Sequence, residues 1–299
     1  MENIKLNDIK RFDYTDILGW SVSRYDKFCL CQRQYYYDYY GKYDAEFGRA
    51  RINALKSMTS TALETGNIIH DAVKAFLERL LKSEEPINRE KYLDFASKKT
   101  AEYCAAKTFS EVYYETLSAV DIKAIEANVR AGLSNFLASD RCRWIIEKAI
   151  TNKSGWVIEP PGYGETRLGG LKAYCKVDFL FPVEEEIYIL DWKTGKPDAK
   201  KHSKQLVGYT AWASYHFGKD ASVIVPITVY LLPNYAETVT RADNADVEKF
   251  KLSVKAETEQ MYGHLNNIER NIPKDKLTFA QTTNLKICGF CNYRELCKR

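Results

Sequence analysis

The chain predicts an α/β fold, with strands concentrated between residues 155 and 232 and helices before, among and after them. Three observations carry that reading. Two short apolar runs, 177–181 and 187–190, are rich in β-branched and aromatic residues and flank the acidic Glu184-Glu185-Glu186, which reads as strand, turn, strand. The run 222–232 is strongly β-branched and uncharged, the pattern of a strand central to a sheet. Long stretches on either side, such as 24–40, carry no Gly or Pro and have the composition of helices.

A chain of 299 residues can bury a sizeable core, and its apolar (45%) and charged (28%) fractions are those of an ordinary globular protein. It has no run of about twenty apolar residues, so no membrane span is expected. The first residues, Met1-Glu2-Asn3-Ile4-Lys5, lack the basic and apolar regions of a signal peptide. Eight cysteines without such a signal point to a reducing, cytoplasmic compartment, where thiols serve as metal ligands or core residues rather than in disulfides. A net charge of +4 is compatible with nucleic acid without demanding it.

Taken in order, Ser21 or Ser23 can cap a helix over 24–40. Within it, Cys29 and Cys31 lie about 200° apart, so both cannot easily face one centre. Gly66 can be the opening turn of the next helix, whose Ile69, Val73, Phe76 and Leu77 form an apolar stripe, with His70 one residue off it. Residues 88–149 read as further helices broken near Ser110 and Tyr113, with Leu133, Phe136, Leu137, Trp144, Ile145 and Ile146 as core and Cys104 and Cys142 as buried thiols. Gly155-Trp156-Val157-Ile158 opens the sheet. Gly162-Tyr163-Gly164 is a turn, 165–168 a strand, and Gly169-Gly170 a turn into the strand carrying Asp178, with Cys175 expected in the core. No phosphate-loop pattern occurs. Residues 201–217 read as a helix with Gln205 and Tyr209 on one face, and Trp212 and His216 nearby. A final helix is expected over 245–271, with Pro273 beginning a loop.

The chemistry concentrates in two places. Asp178 interrupts an apolar strand, where a carboxylate is rarely buried unless paired or metal-bound. Asp191 closes the neighbouring strand, and Lys193, two residues on, projects to the same face while Trp192 points away. Two carboxylates beside an ammonium supply hard oxygen ligands for Mg²⁺ or Mn²⁺, a group able to activate water and neutralise a scissile phosphate. At the C-terminal end, Cys288, Cys291 and Cys297 form a Cys-x₂-Cys-x₅-Cys run, one ligand short of a four-coordinate or cubane site. Cys31 or Cys29 in the aromatic N-terminal helix can complete it.

The order of these residues resembles the RecB-type branch of the PD-(D/E)XK nucleases, including iron–sulfur members such as the AddB nuclease domain and the CRISPR-adaptation nucleases. Ser21-Val22-Ser23 and Cys31-Gln32-Arg33-Gln34-Tyr35 match the opening of that pattern, and Gly66 to His70 its Gly-x-x-x-His. Asp178 matches the motif aspartate, Asp191-Trp192-Lys193 the Asp/Glu-x-Lys, Gln205 to Tyr209 the Gln-x-x-x-Tyr, and Cys288, Cys291 and Cys297 the terminal cysteines. Gln32 departs from the proline usual after the first cysteine; the spacing from Ser23 and the aromatics that follow favour Cys31 over Cys29.

The resemblance implies a restriction-endonuclease-like central mixed β-sheet flanked by helices, with an N-terminal helical region and an iron–sulfur staple joining the termini. It implies one nuclease domain over 1–299, divided into a cluster-ligand helix region (1–62), a helical region (63–152), the nuclease core (153–270) and a cluster-binding tail (271–299). His70, Asp178, Asp191 and the Trp192 carbonyl would hold Mg²⁺ or Mn²⁺, with Lys193 orienting or helping to deprotonate water. Gln205 and Tyr209 would steer the scissile phosphate or the adjacent nucleotide. Cys31, Cys288, Cys291 and Cys297 would bind a [4Fe–4S] cluster. The implied activity is a metal-dependent DNA exonuclease acting on single strands or ends. The alternative is a catalytically silent DNA-end-binding module beside a helicase or integrase. Recombinational repair, CRISPR adaptation, phage replication and anti-phage defence are the settings in which the module occurs.

Overall fold

The computed structural model describes residues 9–83 and 85–299. Ser21 caps α1 (Val22–Leu30), its hydroxyl accepting the Arg24 N–H at 3.2 Å. The single helix expected over 24–40 is two. Cys31 is extended (φ −161°, ψ 109°) and separates α1 from α2 (Gln32–Tyr40). The tail docks at this break: Arg33 N–H donates to the Ala280 carbonyl and Gln32 Oε1 accepts the Ala280 N–H. Those bonds hold open a joint that helix propensity alone would close.

After α3 (Arg49–Ser57), Ser60 caps the long α4 (Thr61–Lys82). Gly66 is therefore inside α4 rather than at its opening turn. It serves close approach instead, since a Cβ there would lie 3.1 Å from Thr194 Oγ1. Four helices follow: α5 (Arg89–Ala105), the short α6 (Ser110–Tyr113), α7 (Ile122–Ala138) and α8 (Asp140–Glu147).

The central sheet has the order β1 (Val157–Ile158), β4 (Phe179–Val183), β5 (Glu186–Lys193), β6 (Ile224–Tyr230), β7 (Ala236–Val239). β5 and β6 run parallel, joined by α9 (Ala199–Phe217), and the other neighbours are antiparallel, so the sheet is mixed. β2 (Glu165–Leu168) and β3 (Leu171–Tyr174) pair only with each other, in a separate hairpin. The strand expected to run into Asp178 thus stops at Tyr174, where Cys175 N–H bonds to the Gly164 carbonyl and turns the chain away. Asp178 immediately precedes β4 instead of lying within it.

Alternation along β5 divides the core. Leu190 and Trp192 pack with Ile69, Val73, Phe76, Leu133 and Phe136 of α4 and α7. Ile187 and Ile189 face Leu206, Tyr209 and Trp212 of α9. Asp191 and Lys193 continue the second set, at the end of the strand. Each fully buried side chain of this size contributes about 1.5–3 kcal/mol, so the strand end that carries the acids is anchored from both layers.

A third cluster joins the termini: Trp20, Tyr35, Tyr36, Tyr37 and Tyr40 pack with Phe279, Tyr293 and Leu296. The helix expected over 245–271 ends early. α10 (Asn244–Tyr262) stops at Gly263, and β8 (Leu265–Asn267) and β9 (Ile272–Pro273) form a small hairpin before α11 (Leu285–Cys288). Among the described residues, no helix is long and apolar enough to cross a membrane.

Candidate active site

The residues singled out by the sequence meet at the C-terminal end of β5. Lys193 Nζ lies 2.5 Å from Asp191 Oδ2, as two side chains on one strand face can. From α9, Tyr209 Oη stands 2.7 Å from Asp191 Oδ1 and accepts a hydrogen bond from Gln205 Nε2 at 2.6 Å. Asp178 Oδ2 accepts the Trp192 N–H at 2.9 Å, which ties the two acidic segments together through backbone. His70 reaches in from α4, with Nδ1 3.4 Å from Asp178 Oδ2.

The two carboxylates sit in opposite electrostatic situations. Burial pushes the Asp178 carboxyl up, but the charge and hydrogen bond of His70, with Lys193 and the Trp192 N–H, outweigh it and hold it below the usual range. Burial also dominates at Asp191, and with Asp178 nearby it wins over Lys193 and Tyr209, so this carboxyl lies above its usual range. His70 is the mirror case. Burial pulls it down, yet Asp178 and then Asp191 leave it raised. Tyr209, buried beside Asp191, is held well above the ordinary phenol value.

The donor set fits a hard divalent cation. Asp191 Oδ2 is buried without a hydrogen-bond partner beyond its ion pair with Lys193, and a carboxylate is costly to bury in that condition. His70, Asp178 and Asp191 are paired among themselves and with Lys193, Tyr209 and the Trp192 N–H. Among the described residues no three His, Cys, Asp or Glu side chains are drawn around one point closely enough to hold a metal ion.

Tyr209, expected to steer a phosphate, is buried with its hydroxyl on Asp191 and 3.1 Å from the Lys176 carbonyl. It also lines, with Gln205, the cavity described next. Gln205, which holds Tyr209, lies on the wall of an open cavity of about 450 Å³. A second cavity of about 590 Å³ opens over His70 and Thr194 from the α4 side, and Lys176 and Lys193 line both. We refer to these two cavities, which have Lys176 and Lys193 in both their walls, together as the trough. A larger cavity of about 830 Å³, among Leu80, Ile87 and Ile146, contains none of the candidate residues.

Sequence reasoning passed over two participants. Glu159 has a left-handed backbone (φ 47°) and bridges Lys74 Nζ at 2.8 Å and Lys176 Nζ at 3.4 Å, while its N–H bonds to the Asp178 carbonyl. Lys176, two residues before Asp178, was the available signal; Glu159 carried none.

Cys31, Cys288, Cys291 and Cys297 line one small cavity with Tyr37 and Tyr293, and Cys29 is exposed outside it. Burial pushes the Cys291 thiol up to about 12, with the other three cysteines adding to it. Cys297 is raised by burial, against the pull of Arg33. Four sulfur donors lining one cavity make a donor set for a thiolate-bound group, whose own positive charge would offset that burial.

Three comparisons bear on what this arrangement belongs to. Residues 19–298 match the model of a family described as the PD-(D/E)XK nuclease superfamily. A solved structure titled "Crystal structure of SSO0001" is similar at 15% identity over 68% of this chain and 95% of that one, with a TM-score of 0.30. No curated protein matches.

Proposed function

The chain belongs to the PD-(D/E)XK nuclease superfamily, and from that premise we propose that it is a metal-dependent DNA nuclease of the RecB-like, iron–sulfur branch, hydrolysing phosphodiesters in single strands or at DNA ends. The observation that carries the reading is the meeting of Asp178, Asp191, Lys193 and His70, from three separate segments of the chain, beside a trough lined by lysine.

Asp178, Asp191, His70 and the Trp192 carbonyl are the groups that would hold Mg²⁺ or Mn²⁺. When bound, the ion supplies Lewis-acid polarisation of the scissile phosphate and favours ionisation of the attacking water. Lys193 places an ammonium beside Asp191, where it orients that water and offsets charge that grows on the phosphoryl oxygens. Tyr209 and Gln205 fix the Asp191 carboxylate, so that no rearrangement of the acid accompanies the reaction. Lys176 and Lys193 attract the phosphate backbone into the trough.

Cys31, Cys288, Cys291 and Cys297 are the proposed ligands of a [4Fe–4S] cluster. What supports this is that all four thiols line one small cavity, a soft-donor set of the number a four-cysteine cluster takes. The whole chain is read as one nuclease domain with its tail folded back on the N-terminal helices.

The deciding experiment is digestion of 5′- and 3′-labelled single- and double-stranded DNA, with circular controls, under Mg²⁺ and Mn²⁺. Wild type cleaves. Asp191→Ala and Lys193→Ala lose at least about a thousandfold, with an unchanged circular dichroism spectrum. Full activity in either variant removes the assignment.

A further inference from the structure

The turn that leads from β1 into β2 is left-handed over three consecutive residues: Gly162 (φ 64°), Tyr163 (φ 58°) and Gly164 (φ 67°). Glycine adopts this conformation freely, whereas a bulky aromatic residue in it is an outlier held by its surroundings. The turn is pinned from one side. A Cβ on Gly164 would lie 2.2 Å from the Cys175 carbonyl oxygen, and Cys175 N–H bonds to the Gly164 carbonyl at 3.0 Å. Gly162 has open space around it. Tyr163 between the two glycines is 72% exposed, so burial of an apolar side chain does not account for it.

That ring is displayed at the active-site trough. It lines the 450 Å³ cavity together with Tyr174, Gln205, Lys176 and Lys193. Tyr174 is itself fixed: its N–H bonds to the Trp20 carbonyl at 2.7 Å, and its ring lies so close over Gly19 that a Cβ there would meet it at 2.1 Å. The lining of this cavity therefore combines two tyrosines with two ammonium groups, Lys193 beside Asp191 and Lys176 beside Glu159. An unpaired nucleotide has the complementary parts, a π-face and a phosphate. In a duplex the faces of the bases are already stacked on each other and are not available.

We propose that Tyr163 is the stacking seat for a nucleobase of a single strand whose backbone crosses Lys176 and Lys193, so that the site takes unpaired nucleic acid in preference to duplex. The inference rests on the nuclease reading and names the substrate form. Because every base has a π-face, the seat tolerates any sequence. The left-handed turn is the device that turns the ring into the trough, with strain retained at a functional position.

The test uses Tyr163→Gly, which removes the ring and relieves the backbone, so its melting temperature does not fall below that of wild type. With EDTA present to prevent cleavage, the affinity of a labelled single strand is read by fluorescence anisotropy. Expected are a loss of about tenfold for Tyr163→Gly, near wild-type binding for Tyr163→Phe, and no change in either variant for a blunt duplex. A 2-aminopurine base in the strand is quenched on binding wild type and Tyr163→Phe but not Tyr163→Gly. Equal single-strand affinity in Tyr163→Gly, or an equal loss for duplex, overturns the proposal. Wild type that cleaves DNA yet is indifferent to Tyr163→Gly refutes the seat alone. Wild type that binds strands through Tyr163 yet never cleaves refutes the nuclease reading and leaves the seat standing.

Discussion

Asp178 and Asp191 are chemically identical side chains set apart by their neighbours. One has an imidazole and a backbone N–H to hold its charge, while the other faces burial and a second carboxylate with a lysine in compensation. His216 shows the same logic away from the site. Its Nδ1 accepts the Lys10 N–H and its Nε2 faces the Glu165 carbonyl, which together call for the neutral ring protonated on Nε2. Burial lowers its pKa to about 4 from 6.5. The unfolded chain therefore takes up a proton below pH 6.5 while the folded one stays neutral until about pH 4, so stability falls as the pH drops through that window. The loss attributable to this ring between pH 7 and pH 5 is about 2 kcal/mol. Urea unfolding of wild type and His216→Asn at both pH values should show the variant losing less; equal losses would mean that His216 is not buried neutral.

At the scale of elements, the sequence located helices and strands well where apolar spacing is strong, as in α4, α9 and β6. It misplaced boundaries where a tertiary contact ends the element. Cys31 leaves the helix because the tail bonds at Gln32 and Arg33. α10 ends at Gly263 because Leu265 pairs with Pro273. The Gly162-Tyr163-Gly164 turn was legible as a turn, but not as a left-handed one, since the constraint is the Cys175 carbonyl just past the end of β3. Two alanine substitutions separate the causes. Gly162→Ala meets only the left-handed backbone cost, about 1–2 kcal/mol. Gly164→Ala adds the clash at 2.2 Å and should shift the urea midpoint further. Equal midpoints would show that the loop moves freely off β3.

Over the whole molecule, the tail is bound to the N-terminal helices by the polypeptide itself. Tyr293 donates to Asp38, Arg33 to the Phe279 carbonyl, Arg51 to Glu295 and Asn292 to the Met58 carbonyl. The proposed cluster on Cys31, Cys288, Cys291 and Cys297 would add a covalent closure from Cys31 to Cys297, restricting the unfolded state as a long-loop disulfide does. Cys288→Ser should then lose absorbance at about 400 nm and lower the melting temperature, yet remain folded through those protein contacts. Anaerobically purified wild type that is colourless and carries zinc would remove the cluster and leave the nuclease proposal intact.

The sequence by itself determined the α/β class, the acid-and-lysine pair at the end of β5 and the order of residues that marks the superfamily. Those properties are local: they depend on strand alternation, helical spacing and fixed intervals along the chain. Only the tertiary structure decided that Tyr209 braces Asp191, that Gly66 makes room for Thr194, and that Tyr163 faces the trough. Each of these is a meeting between segments distant in sequence, fixed by which layers pack together, and no local preference encodes it.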